Sequence, residues 1–337
     1  MYLIGGKNME SNIRKIAVLT SGGDAPGMNA AIRSVVRAAL KQGFQVMGIR
    51  RGYQGLLEDD IVEMNAASVS DIIQRGGTVL KTARSSRFAT KEGVETGAKI
   101  LKKHEIDALV VIGGDGSFRG ALDLSREGIN LFCIPGTIDL DVACTDYTIG
   151  FDTACNTAMD AVDKIRDTSS SHGRCSIIEV MGRSAGYIAT HCGIATGAED
   201  VLVPELYNGD LEETIDKLSE HVKANIETGK THFLIVNAEG IGHSEYMAEK
   251  IQEKTGVKTV VTILGYLQRG GSPSCRDRFM ATMMGVHAVD LIAMGCSNRV
   301  IAFKDGEIVD YDIQKALRMR KDMPPDITRV TRLLVRF

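Results

Sequence analysis

Along this chain, short unbroken apolar runs alternate with longer stretches in which apolar residues recur at helical spacing. Lys15 to Thr20, Gln45 to Ile49, Ala108 to Ile112 and Leu131 to Ile134 read as buried strands, since a strand covered on both faces has no polar alternation to show. Between them, Met28 to Gln42 places Ile32, Val35, Val36, Ala39 and Leu40 on one helical stripe. Lys91 to Lys103 and Phe118 to Glu127 read as further helices, and Gly52 to Gly55 as a turn. Strand and helix alternate without interruption, which is the rhythm of a parallel sheet with helices on both faces.

A second series follows. Phe151 to Asp167 reads as a long helix, and the polar stretch Thr168 to Arg174 as a loop at a domain boundary. Strands are expected at Cys175 to Val180, Val201 to Val203, Phe233 to Asn237 and Thr259 to Leu264, with helices at Leu211 to Thr228, Tyr246 to Thr255 and Asp277 to Met294. Two short strands, Arg299 to Phe303 and Glu307 to Val309, precede a basic tail, Arg318 to Phe337. The chain thus contains two similar α/β halves without an obvious sequence repeat, and its 337 residues suit two domains.

Composition narrows the function. Apolar residues make up 44% and charged residues 25%, ordinary globular usage, and the net charge of −3 offers no basic field for nucleic acid or an anionic membrane. No apolar run approaches the ~20 residues of a membrane span, and the first dozen residues lack an apolar signal core, so a cytoplasmic location is expected. Seven scattered cysteines without a C-x-x-C pair suit reduced, mostly buried thiols, and the histidines show no ligand spacing for a transition metal.

The chemistry gathers in loops after strands, where open parallel sheets collect their ligands. Ser21 to Gly27 is a glycine loop with Asp24 and Pro26, opening a helix whose unpaired N–H groups suit phosphate. Gly113-Gly114-Asp115-Gly116-Ser117 ends one strand. Pro135-Gly136 ends another and leads to Asp139 and Asp141. Adjacent glycine loops carrying carboxylates suit phosphate together with Mg2+. Arg75 to Phe88 reads as a polar, mobile segment whose arginines could reach phosphate.

Six motifs in order resemble the bacterial type of ATP-dependent 6-phosphofructokinase: Leu19 to Ala30, Gly113 to Ser117, Pro135 to Asp139, Thr145 to Phe151, Met181 to Arg183 and Gln268 to Pro273. The resemblance runs from about Lys15 to about Ala316. It implies two Rossmann-like α/β/α domains with mostly parallel sheets and the active site in the cleft between them. It further implies an N-terminal extension at 1–12, a nucleotide-binding domain at 13–150 plus 268–305, and a sugar-phosphate domain at 151–267 plus 306–337.

For the chemistry, the resemblance implies transfer of the γ-phosphate of ATP to the 1-hydroxyl of fructose 6-phosphate. Asp139 then matches the base, Thr137 helps orient the acceptor, and Arg183 is the transition-state arginine. ATP would contact Gly23, Arg84, Gly114, Asp115, Gly116, Ser117 and Gly120, and Asp115 and Asp141 would support Mg2+. Glycine at both 116 and 136 favours ATP over pyrophosphate as donor. The acceptor set comprises Thr137, Asp139, Asp141, Arg174, Met181, Gly182, Arg183, Glu239, Tyr266 and Arg269. An effector site for a nucleoside diphosphate or phosphoenolpyruvate would use Arg33, Arg37, Arg166, Glu199, Lys230 and His232 in a homotetramer.

Three positions depart from the family's pattern. Leu140 stands where Asn is usual; in an extended loop it would point away from the two acids. Val260 takes the place of an arginine, and Tyr266 that of a histidine, in the grip on the sugar's 6-phosphate. Lys258, one pleat from Val260, could substitute as a point charge. These departures keep two alternatives open: a kinase for another ketose phosphate, such as tagatose 6-phosphate or sedoheptulose 7-phosphate, or a weakly active nucleotide-binding regulatory subunit.

Overall fold

A computed structural model describes residues 13–334 of the chain; the expected extension at 1–12 lies outside them. The first half runs β1 (Lys15–Thr20), α1 (Met28–Lys41), β2 (Gln45–Ile49), α2 (Gly52–Leu57), β3 (Ile61–Met64), α3 (Lys91–Lys103), β4 (Ala108–Gly113), α4 (Asp115–Arg126), β5 (Asn130–Thr137) and β6 (Ile149–Gly150). It continues through α5 (Phe151–His172), β7 (Cys175–Val180), α6 (Tyr187–Thr196), β8 (Asp200–Leu202), α7 (Leu211–Glu227), β9 (Phe233–Ala238), α8 (Ser244–Thr255) and β10 (Thr259–Ile263). The chain closes with α9 (Cys275–Ala293), β11 (Arg299–Lys304), β12 (Glu307–Asp312), α10 (Ile313–Ala316) and α11 (Pro325–Leu334).

Two compact units result. The first takes the residues up to Thr137, Asp141–Gly150 and Ser272–Lys321; the second takes Ile138–Leu140, Phe151–Gly271 and the residues from Asp322 onward. In the first unit the strand order is β12-β11-β5-β4-β1-β2-β3, with β6 beside the end of β5. Its interior strands are parallel, and β2–β3 and β11–β12 are antiparallel edges. β4 is buried at every residue, as its continuous apolar run requires. The second unit holds a parallel sheet of order β10-β7-β9-β8 around its own core, in which Cys175, Ile177, Phe233 and Ile235 meet Ile215, Leu218 and Met247.

Several expectations yield to the structure for local reasons. Residues 52–55 begin a helix and not a turn. β5 continues through Pro135-Gly136, because β11 pairs with β5 only at Phe132 and Cys133, so a missing N–H at 135 costs that neighbour no ladder bond. α5 runs on to His172 across the polar stretch taken for a boundary: Ser171 bonds back to the Asp167 carbonyl at 2.8 Å, Ser169 meets Ser176 at 2.6 Å, and Gly173 at φ 62° ends the helix. α6 shows no apolar stripe because six of its residues are buried around the helix, so its sequence lacks the amphipathic signature. Residues 306–321, expected with the second domain, belong to the first, since β12 pairs with β11 throughout its length.

Among the described residues, no helix is long and apolar enough to cross a membrane. None of the seven cysteines forms a disulfide among the described residues, and Cys133, Cys144, Cys175 and Cys192 are buried.

Candidate active site

In the first unit, the loops after β4 and β5 are neighbours: a Cβ added at Gly114 would stand 3.6 Å from the Cβ of Thr137. Gly113 cannot carry a side chain, because its Cβ would meet the Ser21 carbonyl at 2.5 Å and the Ser117 hydroxyl at 2.7 Å. Three expected phosphate loops therefore share one end of the sheet, with Ser21 N donating to the Ile112 carbonyl at 2.9 Å. Helix α4 starts at Asp115 and not at Phe118, so Asp115, Gly116 and Ser117 form its first turn, where unpaired N–H groups and the positive helix end favour anions.

The stretch from Arg75 is held in place. Asn29 donates to the carbonyls of Arg75 and Gly76 and accepts from Val79 N at 2.7 Å, Thr20 holds the Lys81 carbonyl at 2.9 Å, and Thr82 holds that of Gly22 at 2.8 Å. In place of the mobile reading for residues 75–82, these bonds tie that stretch to β1, α1 and the glycine loop. Arg84 within it is exposed.

The glycines divide by environment. A side chain at Gly116 would enter open space, so room is present there. At Gly120 it would meet the stacked rings of Tyr53 and Phe88 at 3.0 and 3.1 Å, and at Gly136 it would meet Ile112 and Met28 at 3.0 and 3.3 Å. Protein packing accounts for those two glycines, in place of the room for nucleotide expected there.

Among the described residues, no three His, Cys, Asp or Glu side chains close into a metal cage. Asp115 and Asp141, on the loops after β4 and β5, offer a different set, oxygen donors alone and few of them. That fits Mg2+, which keeps most of its waters and takes one or two carboxylates together with substrate phosphates. One oxygen of Asp115 also accepts from Arg119 Nε at 2.7 Å.

In the second unit, Nε of Arg183 lies 3.3 Å from Oδ2 of Asp139. Asp139 is 2% exposed and the Arg183 side chain 54% exposed, so a buried acid meets a guanidinium that reaches solvent. Arg183 sits in a tight turn at φ 54°, after Gly182 at φ 143°, where a Cβ would clash with the Ala185 carbonyl at 2.4 Å. Glu239, expected at the substrate, holds this turn: its Oε1 accepts from the amides of Gly182 at 3.1 Å and Arg183 at 2.7 Å. Gln268 Oε1 accepts from Met181 N at 3.1 Å.

Leu140 is not extended. It stands at φ 55° and 6% exposed, so it is a buried side chain on a left-handed backbone that glycine or asparagine adopts more readily. Of the remaining acceptor residues, Thr137 is buried, Asp141, Arg174 and Arg269 are half-buried, and Tyr266 is exposed. Arg174 bonds Thr168 Oγ1 at 2.9 Å, Tyr266 is 82% exposed, and Arg269 closes the 3-10 turn Gly265–Arg269.

Of the effector set, Lys230 pairs with Glu199, Arg166 donates to the Thr196 carbonyl, and His232 is half-buried, all in the second unit. Arg33 and Arg37 are on α1 of the first. Asp277 was missed by sequence reasoning. Wholly buried, it accepts from the Tyr147 hydroxyl at 2.5 Å and from Gly150 N at 2.7 Å, tying the end of the acid loop to α9. Ser274, which caps that helix by accepting from Asp277 N, offered the local signal.

Comparison with known proteins identifies the family. The phosphofructokinase family profile matches residues 15–292. A protein from Clostridium botulinum named ATP-dependent 6-phosphofructokinase is 54% identical over 322 residues, covering 96% of this chain and 99% of its own. Among solved structures, phosphofructokinase from Saccharomyces cerevisiae superposes with a TM-score of 0.83 at 34% identity over 90% of this chain, and that from Pichia pastoris with 0.84 at 32% over 98%. This chain spans 45% and 40% of those two yeast chains. With so much of its length matched by the profile and more than half its residues shared with the bacterial relative, the chain belongs to the phosphofructokinase family.

Proposed function

We propose that this chain transfers the γ-phosphoryl group of ATP to the 1-hydroxyl of fructose 6-phosphate, giving fructose 1,6-bisphosphate and ADP. The observation that carries this reading is the pairing of buried Asp139 with Arg183, on a loop bracketed in sequence by Thr137 and Asp141. Asp139 takes the hydroxyl proton as the O1–Pγ bond forms and the bond from Pγ to the bridging oxygen of ADP breaks. Arg183 offsets charge on the migrating group, and Thr137 orients the acceptor.

On the nucleotide side, Gly23, Gly114, Gly116, Ser117 and Arg84 receive the phosphates. Asp115 and Asp141 would hold Mg2+, which when bound neutralises charge on the ATP phosphates. On the acceptor side, Arg174, Arg269, Tyr266, Met181 and Gly182 receive the sugar phosphate, and Glu239 serves it by fixing the Arg183 turn. Arg33, Arg37, Arg166, Glu199, Lys230 and His232 form an effector site for a nucleoside diphosphate or phosphoenolpyruvate in a homotetramer. Seven cysteines without a disulfide suit a reducing cytoplasm.

One observation favours a second acceptor. Val260 brings no charge to the 6-phosphate grip and Tyr266 is 82% exposed, so this grip is looser than the family's and could take another ketose phosphate, tagatose 6-phosphate or sedoheptulose 7-phosphate. Assay of the purified protein with ATP, Mg2+ and these three sugar phosphates decides between them. The highest kcat/KM is expected for fructose 6-phosphate. Turnover of none would leave a nucleotide-binding subunit.

A further inference from the structure

The acid loop from Asp141 to Asp146 is tied down by more than its own strand. Asp146 N donates to the Phe303 carbonyl at 2.8 Å, Phe303 N donates to Thr145 Oγ1 at 2.9 Å, and Lys304 Nζ meets Asp146 Oδ1 at 2.7 Å. These ties all come from β11. They grip the far end of the loop and leave the main-chain carbonyl of Thr145 to another partner. That partner is Lys321, whose Nζ donates to it at 2.8 Å from 176 positions further along the chain.

Lys321 is half-buried, and it is the last residue of the first unit before the chain passes into the second at Asp322. We propose that Lys321 is a positioning residue for the acid loop, pinning it through the Thr145 carbonyl at the point where the chain changes units. Three observations support a specific role over a solvated surface lysine. Its ammonium has a fixed main-chain acceptor, and the carboxylates of Asp146 and Asp141 act on it with Lys304 opposing. Burial also carries a real cost, holding the amine at about 8. An ammonium donating to the Thr145 carbonyl from so far along the chain stiffens the segment that presents Asp141.

This inference rests on the reading of the acid loop as part of the phosphoryl-transfer site, and the test separates the two. Lys321→Met and Lys321→Arg are compared with the unaltered enzyme by steady-state kinetics and by hydrogen exchange across residues 141–150. Lys321→Met should lower kcat by about tenfold or more, because small misplacements of a reacting constellation are costly, and should raise exchange in that segment. The KM for ATP should stay within about twofold, and Lys321→Arg should recover kcat to within about threefold. Should Lys321→Met not fold, Lys321→Gln, shorter and uncharged, takes its place with the same expectation. Unchanged kcat and exchange in the Met variant, or an Arg variant as impaired as Met, overturns the proposal. If the unaltered protein turns over no sugar phosphate, the phosphoryl-transfer reading fails on its own account, and exchange alone then judges Lys321.

Discussion

Arg183 and Asp139 stand 3.3 Å apart, guanidinium to carboxylate, with the acid buried and the arginine reaching solvent. The turn bearing Arg183 is left-handed and held by both amides on Glu239, so the position of the arginine is set by its backbone before any substrate arrives. Arg183→Ala should lower kcat by about 10²–10³, the usual loss for one group that offsets transition-state charge. Glu239→Ala acts only through the turn and should cost about tenfold. Steady-state kinetics checks both; equal losses would mean that Glu239 touches the reacting groups itself.

Leu140 carries a backbone strain that its neighbours do not. At φ 55° a branched Cβ crowds the chain more than leucine does. Leu140→Ile, equal in volume, should lose about 1–2 kcal/mol of stability in denaturant unfolding, and Leu140→Asn should keep kcat within about threefold. An Ile variant as stable as the unaltered protein would contradict the left-handed geometry.

Lys258 is exposed one residue before β10, its carbonyl accepting from Cys175 N at 3.0 Å, and Val260 two residues on brings no charge. If Lys258 replaces the missing arginine, Lys258→Ala raises the KM for the sugar phosphate severalfold and leaves that for ATP unchanged. An unchanged acceptor constant rules the substitution out.

Burial pushes the Cys175 thiol up to about 12 and the Cys144 thiol up to about 11, from an ordinary 9.0. Between pH 9 and those values the unfolded chain has released these protons and the folded chain retains them, so unfolding is favoured as pH rises. Stability should hold to about pH 8 and then fall, by at most about 1.4 kcal/mol per pH unit for each thiol. Urea unfolding at pH 8 and pH 10.5 measures this, and Cys175→Ala should flatten the slope.

Much of this was legible in the sequence, and the remainder was hidden for identifiable reasons. β1 and β4 announced themselves as apolar runs, and the glycine loops after them marked one end of the first unit's sheet; β7 and β9 were legible as strands of the second unit's own sheet. α6 could not be read because its buried residues, Thr190 among them, surround the helix and leave no apolar stripe, and the passage of β5 through Pro135 depended on where β11 leaves it. Asp139 and Arg183 were singled out by resemblance. Spacing alone could not pair residues so far apart, because the fold, not the local sequence, decides which loops meet. Asp277 and Lys321 escaped for the same reason: each reaches a loop more than 120 positions away in sequence through hydrogen bonds that local spacing cannot show.

The central claim is that Asp139 takes the proton of the accepting hydroxyl. Asp139→Asn, assayed with ATP, Mg2+ and fructose 6-phosphate, tests it most directly, since the amide keeps the shape and loses the base. A fall in kcat of about 10²–10⁴ with ATP affinity retained is the expected result; turnover at the rate of the unaltered enzyme would contradict the account.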